Sequence, residues 1–411
     1  MYRRSHGEPG GETCSGRAAE PSAAGLFVRR VTLTNFRNYP SLRLELPERA
    51  GLVVLTGPNG SGKTNLMEAV SFLAPGKGIR NARFADVTRR TEEAGVAAFP
   101  WAVAAVLHNG AEEIEIGTGC EAVPGGRSRT DRRAIRLNGE PRKSQADLGS
   151  VCSAVWLTPA MDRLFSGDPS GRRRFWDRLT QAFFPAHAGH CAAYAQSLRQ
   201  WGLLLREGKR DDAWLSALEN TLSRYGSKIA AARRETLERL RSRLDQASDS
   251  FPRAGLELTG GMEDVLAGME PAEAEACIRE RFRTSRKIYV EGGAAGGVHT
   301  VDLSAVHREK RIPAALCSTG EQKALLISIL LSHVRAQAER TGTLPLLLLD
   351  EVSAHLDAGR REALFAEIAA LGTQVWMTGT EEKLFEGLKE TAHFVAVDTL
   401  SREPSVLAAA S

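Results

Sequence analysis

The stretch Leu52-Val-Val-Leu-Thr-Gly-Pro-Asn-Gly-Ser-Gly-Lys-Thr64 decides how the rest of the chain is read. Its first four residues are an apolar run with the length of a buried strand. Gly57, Pro58, Asn59, Gly60, Ser61, Gly62, Lys63 and Thr64 then fit the pattern G-x-x-x-x-G-K-[ST]. Leu66, Met67, Val70 and Leu73 follow at helical spacing. A strand, a glycine loop and a helix are the setting in which such a loop holds phosphate. Glycines let backbone N–H groups converge on phosphate oxygens, and the helix start adds the positive end of its dipole. Lys63 is expected to hold the β- and γ-phosphates of a nucleotide, and Thr64 to ligate Mg²⁺. A chain with 39 glycines could match by chance, but the flanking strand and helix argue against that.

Two later stretches belong with this loop. Cys317-Ser-Thr-Gly-Glu-Gln-Lys323 precedes an apolar helical run over residues 324–335. Ser318 and Glu321 have the spacing of a capping box, and a helix start behind small residues is itself an anion site. Leu344-Pro-Leu-Leu-Leu-Leu-Asp-Glu351 reads as a buried parallel strand ending in two carboxylates, where α/β sheets bind ligands. Asp350 is expected to join Thr64 in the Mg²⁺ shell, and Glu351 to act as general base toward an attacking water. The plainer alternative is a strand with exposed acids at its end. Asp357 is placed to cap the next helix. Gln374-Val-Trp-Met-Thr378 reads as another strand, from which Thr378 or Thr380 would point toward the γ-phosphate.

Upstream, Val28, Val31 and Leu33 suggest a strand. Leu42, Leu44 and Leu46 alternate with Arg43 and Glu45, so a hairpin entering an antiparallel layer is expected. Arg37 in its turn either reaches a phosphate or is solvated. Residues 101–107, 114–116 and 135–140 read as strands. Between the last two lies the basic loop Gly125-Gly-Arg-Ser-Arg-Thr-Asp-Arg-Arg133. Its Arg127, Arg129, Arg132 and Arg133 are candidate contacts to DNA phosphates, or the tip of a solvated hairpin. A helix is predicted from Pro169-Ser170, burying Phe175, Leu179 and Phe183, with Arg172, Arg173, Arg174 and Arg178 on a solvated or salt-bridged face. Residues 190–290 read as helical, with stripes at Leu198, Trp201, Leu205 and at Leu237, Leu240, Leu244, broken at Pro252 and Gly260-Gly261. Gly292 to Gly297 form a connector back to the first lobe.

The composition sets bounds. Of 411 residues, 42% are apolar and 25% charged, an ordinary balance for a globular protein. A net charge of +4 is too small to demand a nucleic-acid partner. The six cysteines are scattered without a Cys-x-x-Cys pair, which points away from zinc and from a disulfide framework and toward a reducing cytoplasm. Residues 1–25 lack an apolar core, so they read as a disordered tail or an upstream start, not a secretory signal. The longest apolar helical run, 324–334, falls well short of the roughly 20 residues that cross a bilayer, so no membrane partner is expected.

The ordered trio of P-loop, Ser-x-Gly-Glu-Gln helix start and Asp-Glu strand resembles ATPases of the ABC type. The insert of about 255 residues between Thr64 and Ser318 lacks sustained heptads. The chain is similar to the RecF family in the SMC-like branch of these ATPases. The match runs from about Leu26 to the C-terminus. It rests on Leu33-Thr-Asn-Phe-Arg-Asn-Tyr39, residues 57–64, Pro159-Ala-Met-Asp162, and residues 167–177, 318–323 and 347–357. The resemblance implies an α/β fold: an ABC-type P-loop ATPase head, lobe I, with an inserted, mainly helical lobe II. Boundaries are expected at 1–25 for the tail, 26–155 and 297–411 for lobe I, and 156–296 for lobe II. It also implies ATP and Mg²⁺ as cofactors, and Ser318 and Gly320 acting on the ATP of the opposite subunit. An ATP-dependent homodimer would use weak, DNA-stimulated hydrolysis as a switch. Gapped, single-stranded or junction DNA, RecR and RecO would be its partners in RecA loading at replication gaps.

Some positions depart from the family pattern. Gly297-Val-His-Thr-Val-Asp-Leu303 stands for Gly-Pro-His-Arg-Asp-Asp-Leu, and Pro159-Ala-Met-Asp162 for Pro-Glu-Asp. No glutamine takes the usual Mg²⁺-sensing place, with Gln145 only nearby, and the switch histidine of transporters is absent. The alternative reading is another ABC-type subunit, of a transporter or an SMC-like complex. A transporter subunit would be smaller and carry a membrane-coupling surface. An ATPase joined to a nuclease would need more chain after Asp357.

Overall fold

The computed structural model describes residues 25–89, 100–120, 133–208, 211–246, 250–293, 295–354 and 356–398, and the backbone of 406–407. The expected tail therefore lies almost wholly outside the described residues, as do Arg127, Arg129 and Arg132.

The chain opens with a hairpin, β1 (Phe27–Phe36) and β2 (Tyr39–Glu45), followed by β3 (Leu52–Thr56), helix α1 (Lys63–Ser71) and a single turn, α2 (Phe84–Val87). Strands β4 (Ala102–His108), β5 (Glu113–Gly119), β6 (Ala134–Leu137) and β7 (Glu140–Arg142) precede α3 (Gln145–Gly149) and β8 (Ala154–Leu157). Helices α4 (Pro169–Phe183), α5 (His187–Arg206) and α6 (Asp212–Asp245) lead to β9 (Ala254–Thr259) and α7 (Pro271–Val290). The chain then runs through β10 (Asp302–His307), β11 (Ile312–Pro313), α8 (Thr319–Thr341) and β12 (Leu346–Leu349). It closes with α9 (Ala358–Ala369), β13 (Val375–Gly379), β14 (Ala392–Ala396) and β15 (Val406–Leu407).

Five strands form a parallel sheet in the order β14-β3-β13-β12-β8. Both faces are covered, which is why these strands read as unbroken apolar runs and not as alternation. The period of two sorts their side chains between two cores. Val53, Leu55, Trp156, Leu346, Leu348 and Trp376 face one, shared with α1 and the antiparallel layer. Leu52, Val54, Val155, Leu157, Leu347, Leu349, Val375 and Met377 face the other, shared with α4, α8 and α9. The antiparallel layer is the expected one: seven strands in the order β15-β2-β1-β4-β5-β6-β7, with only the β15–β2 pair parallel. Val31, Leu33, Leu42 and Leu44 form its buried face.

The region read as helical departs from expectation in one element. Ala254–Thr259 is a strand that pairs antiparallel with β10, Leu256 opposite Ala305 and Leu258 opposite Leu303. Leu256 and Leu258 are buried and Glu257 is exposed, so a strand period hides inside a helical stretch. Helix α6 is 34 residues long, about 51 Å. Its first half packs Leu222 and Ile229 against Trp201, Ile278 and Phe282 in a third core built with α5 and α7. Its second half places Leu237, Leu240 and Leu244 in the core under the parallel sheet. Between them the buried Arg233 binds Asp177 of α4 through two bonds of 2.8 and 3.0 Å and Glu263 at 2.8 Å. No described helix is long and apolar enough to cross a membrane.

Candidate nucleotide site

Strand β3 delivers the chain into the glycine loop at the C-terminal edge of the parallel sheet. Gly62 is the N-cap of α1, with φ 110°, and no side chain caps that helix. A Cβ on Gly62 would lie 2.6 Å from both Asn38 Nδ2 and Tyr39 Oη, so only glycine fits. Gly60, with φ 83°, has open space where a side chain would go. The start of α1 is thus left to an outside anion. Lys63 is buried, and its ammonium donates to the carbonyls of Gly57 at 2.7 Å and Pro58 at 2.9 Å. Burial lowers its pKa, and the charges of Glu351 and Asp350 oppose that.

Strand β12 brings in the acids. Asp350 is buried, and its Oδ1 accepts from Thr378 Oγ1 at 2.7 Å and Thr64 Oγ1 at 3.2 Å. Of the two threonines read at this strand end, Thr378 is tied to Asp350, and Thr380 is exposed. The Thr378 hydroxyl is held between Asp350 and the backbone N–H of Glu351, which donates to it at 2.9 Å. Glu351 has φ 50°, the left-handed region, which costs a residue with a Cβ roughly 1–2 kcal/mol. Its carbonyl accepts from Lys323 Nζ at 3.1 Å. Both ends of this strained residue are fixed, as persistence of such a conformation requires. Asp357 caps α9 by accepting from the Arg360 N–H at 2.8 Å, as its position suggests.

Helix α8 begins with the full capping box: Ser318 Oγ accepts from the Glu321 N–H, and Glu321 accepts from the Ser318 N–H at 2.8 Å. Ser318 is exposed at this helix start, Gly320 lies in the first turn, and Glu321 also binds Lys310. The Lys310 bond, with those from Ser318, holds the Glu321 carboxyl down to about 2. Hydrogen bonds within the chain tie Ser318 to Glu321 and not to the glycine loop.

Several arginines differ from expectation. Arg37 is not the solvated turn arginine of the plainer reading: it forms a two-bond ion pair with the buried Glu68, at 2.7 and 2.9 Å, which pins the hairpin turn to α1. Arg133 is buried and donates to Ala74 O, Gly76 O, Phe72 O and Thr118 Oγ1. Burial pushes its guanidinium down to about 9. It braces the turn after α1 and is not a surface contact for DNA. Arg172 is salt-bridged to Asp302 at 2.7 Å, as one reading of its helix face expects, whereas Arg178 is half-buried and stacks on Trp156 at 4.5 Å. Gln145 accepts from the Gly76 N–H at 2.8 Å. Sequence reasoning missed Lys323; its place directly after the Ser-x-Gly-Glu-Gln element was the available signal.

Comparison with known proteins agrees with this geometry. The model of the RecF/RecN/SMC N terminal domain matches residues 27–401. The DNA replication and repair protein RecF of Mesorhizobium japonicum is 42% identical over 378 residues, covering 91% of this chain and 97% of the relative. That of Allorhizobium ampelinum is 44% identical over 375 residues, covering 90% and 97%. Two solved structures of the recombination mediator protein RecF in the RecFOR pathway share the fold. The RecF-ATPrS structure has a TM-score of 0.76 at 21% identity, covering 92% of this chain and 98% of that one. The RecF-ATP structure has a TM-score of 0.72 at 23% identity, covering 87% and 94%. The ABC-type, SMC-like head expected from the P-loop and its two companion stretches is the fold observed, and the chain belongs to the RecF family.

Proposed function

We propose that this chain is an ATP-driven, DNA-binding recombination mediator that acts in the cytoplasm at replication gaps, with RecR and RecO, to promote RecA loading. The observation that carries the ATPase reading is the convergence of Lys63, Thr64, Asp350 and Glu351 from stretches nearly 290 residues apart. Thr64 Oγ1 and Asp350 Oδ1 are hard oxygen donors 3.2 Å apart, close to the roughly 3 Å between neighbouring ligands of an octahedral ion with bonds near 2.1 Å. They fit Mg²⁺, which when bound would neutralise phosphate charge. Lys63 would exchange the carbonyls of Gly57 and Pro58 for phosphate oxygens. The backbone of residues 57–64 would cradle the phosphates, and Glu351 would polarise the attacking water. Ser318 and Gly320 would complete the site of a second subunit, making ATP the glue of a homodimer.

The relatives named DNA replication and repair proteins, and the RecFOR setting of the two solved mediators, support the DNA, RecR and RecO parts of this reading. The test is binding of a gapped duplex with ATP, ADP or no nucleotide across a salt series. Binding should be at least about tenfold tighter with ATP and should weaken steeply with salt. Affinity indifferent to both nucleotide and salt would contradict the proposal.

A further inference from the structure

We propose that Lys323 is a positioning residue for Glu351, one that makes hydrolysis at one ATP depend on how the same subunit's α8 is seated on the other. This rests on the dimeric reading above and goes further, because it names the link between the two sites.

Lys323 is buried at 2% exposure, on the inner side of α8. Its ammonium donates to Glu351 O at 3.1 Å and to Ala354 O at 2.7 Å, and Asp162 Oδ2 lies 3.8 Å away. A buried lysine spent on two carbonyls of one short loop is a brace for that loop. The loop carries Glu351, whose left-handed backbone is held on the other side by Thr378. Lys323 thus supplies half of the clamp on a strained residue.

The brace is mounted on a particular helix. Ser318 and Lys323 are five residues apart on α8, about 7.5 Å along a rigid axis. Ser318 and Gly320 face the partner's ATP, while Lys323 holds the backbone carbonyl of Glu351, whose carboxylate serves this subunit's own ATP. When the first turn of α8 settles on a phosphate, the displacement reaches Glu351 through one side chain. A strained residue clamped from two sides suits such a device, since loosening one side frees it to leave the left-handed region.

The test compares the wild-type protein with Lys323→Met, Lys323→Arg and Asp162→Asn. ATP binding, mass with ATP by light scattering and steady-state hydrolysis are measured for each. Lys323→Met should bind ATP within about twofold of wild type and still dimerise. Its kcat should fall at least about tenfold with KM nearly unchanged, and the Hill coefficient for ATP should drop from near 2 toward 1. Lys323→Arg should recover part of both. Asp162→Asn, which leaves the two carbonyl bonds in place, should show the same pattern about two- to threefold weaker, and it carries the test if Lys323→Met does not fold. Unchanged kcat and Hill coefficient, or a lower kcat with cooperativity intact, would overturn the link while leaving the dimer standing. A wild-type protein that stays monomeric with ATP would remove the dimer itself.

Discussion

Two helix starts in this molecule look alike in sequence and differ in how they are finished. Helix α1 begins at a glycine with no side-chain cap, behind a loop where any Cβ at Gly62 would collide with Asn38 and Tyr39. Helix α8 begins at Ser318 with both halves of a capping box in place and Glu321 paired to Lys310. The first is open to an anion and ringed by its own subunit's lysine and carboxylates. The second is self-satisfied and solvent-facing, and Leu316 beside it is 76% exposed. A helix start left uncapped and ringed by its own chain's lysine and acids can hold a ligand alone. One that is capped yet exposed beside an apolar side chain can serve a partner, by trading an internal cap for an external phosphate.

The largest effect that separates them is expected from Lys63→Ala. It should weaken ATP binding to the monomer by about 100-fold, a loss typical of removing a charge-assisted phosphate contact, read by titration with a fluorescent ATP analogue. Ser318→Ala should leave that monomer affinity unchanged and weaken ATP-induced dimerisation by about tenfold. Equal losses of monomer affinity in both variants would erase the distinction. The smallest effect is expected from Glu321→Ala, about 1 kcal/mol of stability in urea titration through loss of the cap. The Glu321 carboxyl, held at about 2 against an ordinary 4.5, stabilises the fold above pH about 4.5, and this is lost as pH falls through 2. The gap between wild type and Glu321→Ala should therefore close in acid.

The sequence made local features legible and long-range partners much less so. The P-loop, the capping box and the strand into Asp350 each declare themselves within ten residues, and each stands where its pattern puts it. Arg37 and Arg133 could not be placed this way. Both read as surface cations, yet Glu68 and the carbonyls after α1 claim them from 31 and about 60 residues away. Strand β9 was hidden for the same reason, since its partner β10 follows only after the whole of α7. Thr378 and Thr380 could not be told apart in sequence because their strand end was visible and the bond from Thr378 to Asp350, across 28 residues, was not.

In the proposed dimer, ATP held by α1 of one subunit is closed by α8 of another. Light scattering of Glu351→Gln with saturating ATP tests this closure most directly, because hydrolysis is blocked while every phosphate contact remains. With ATP the variant should have twice the mass of the chain, falling to the mass of one chain when Lys63→Ala is added. A single-chain mass for Glu351→Gln in saturating ATP would contradict the dimer.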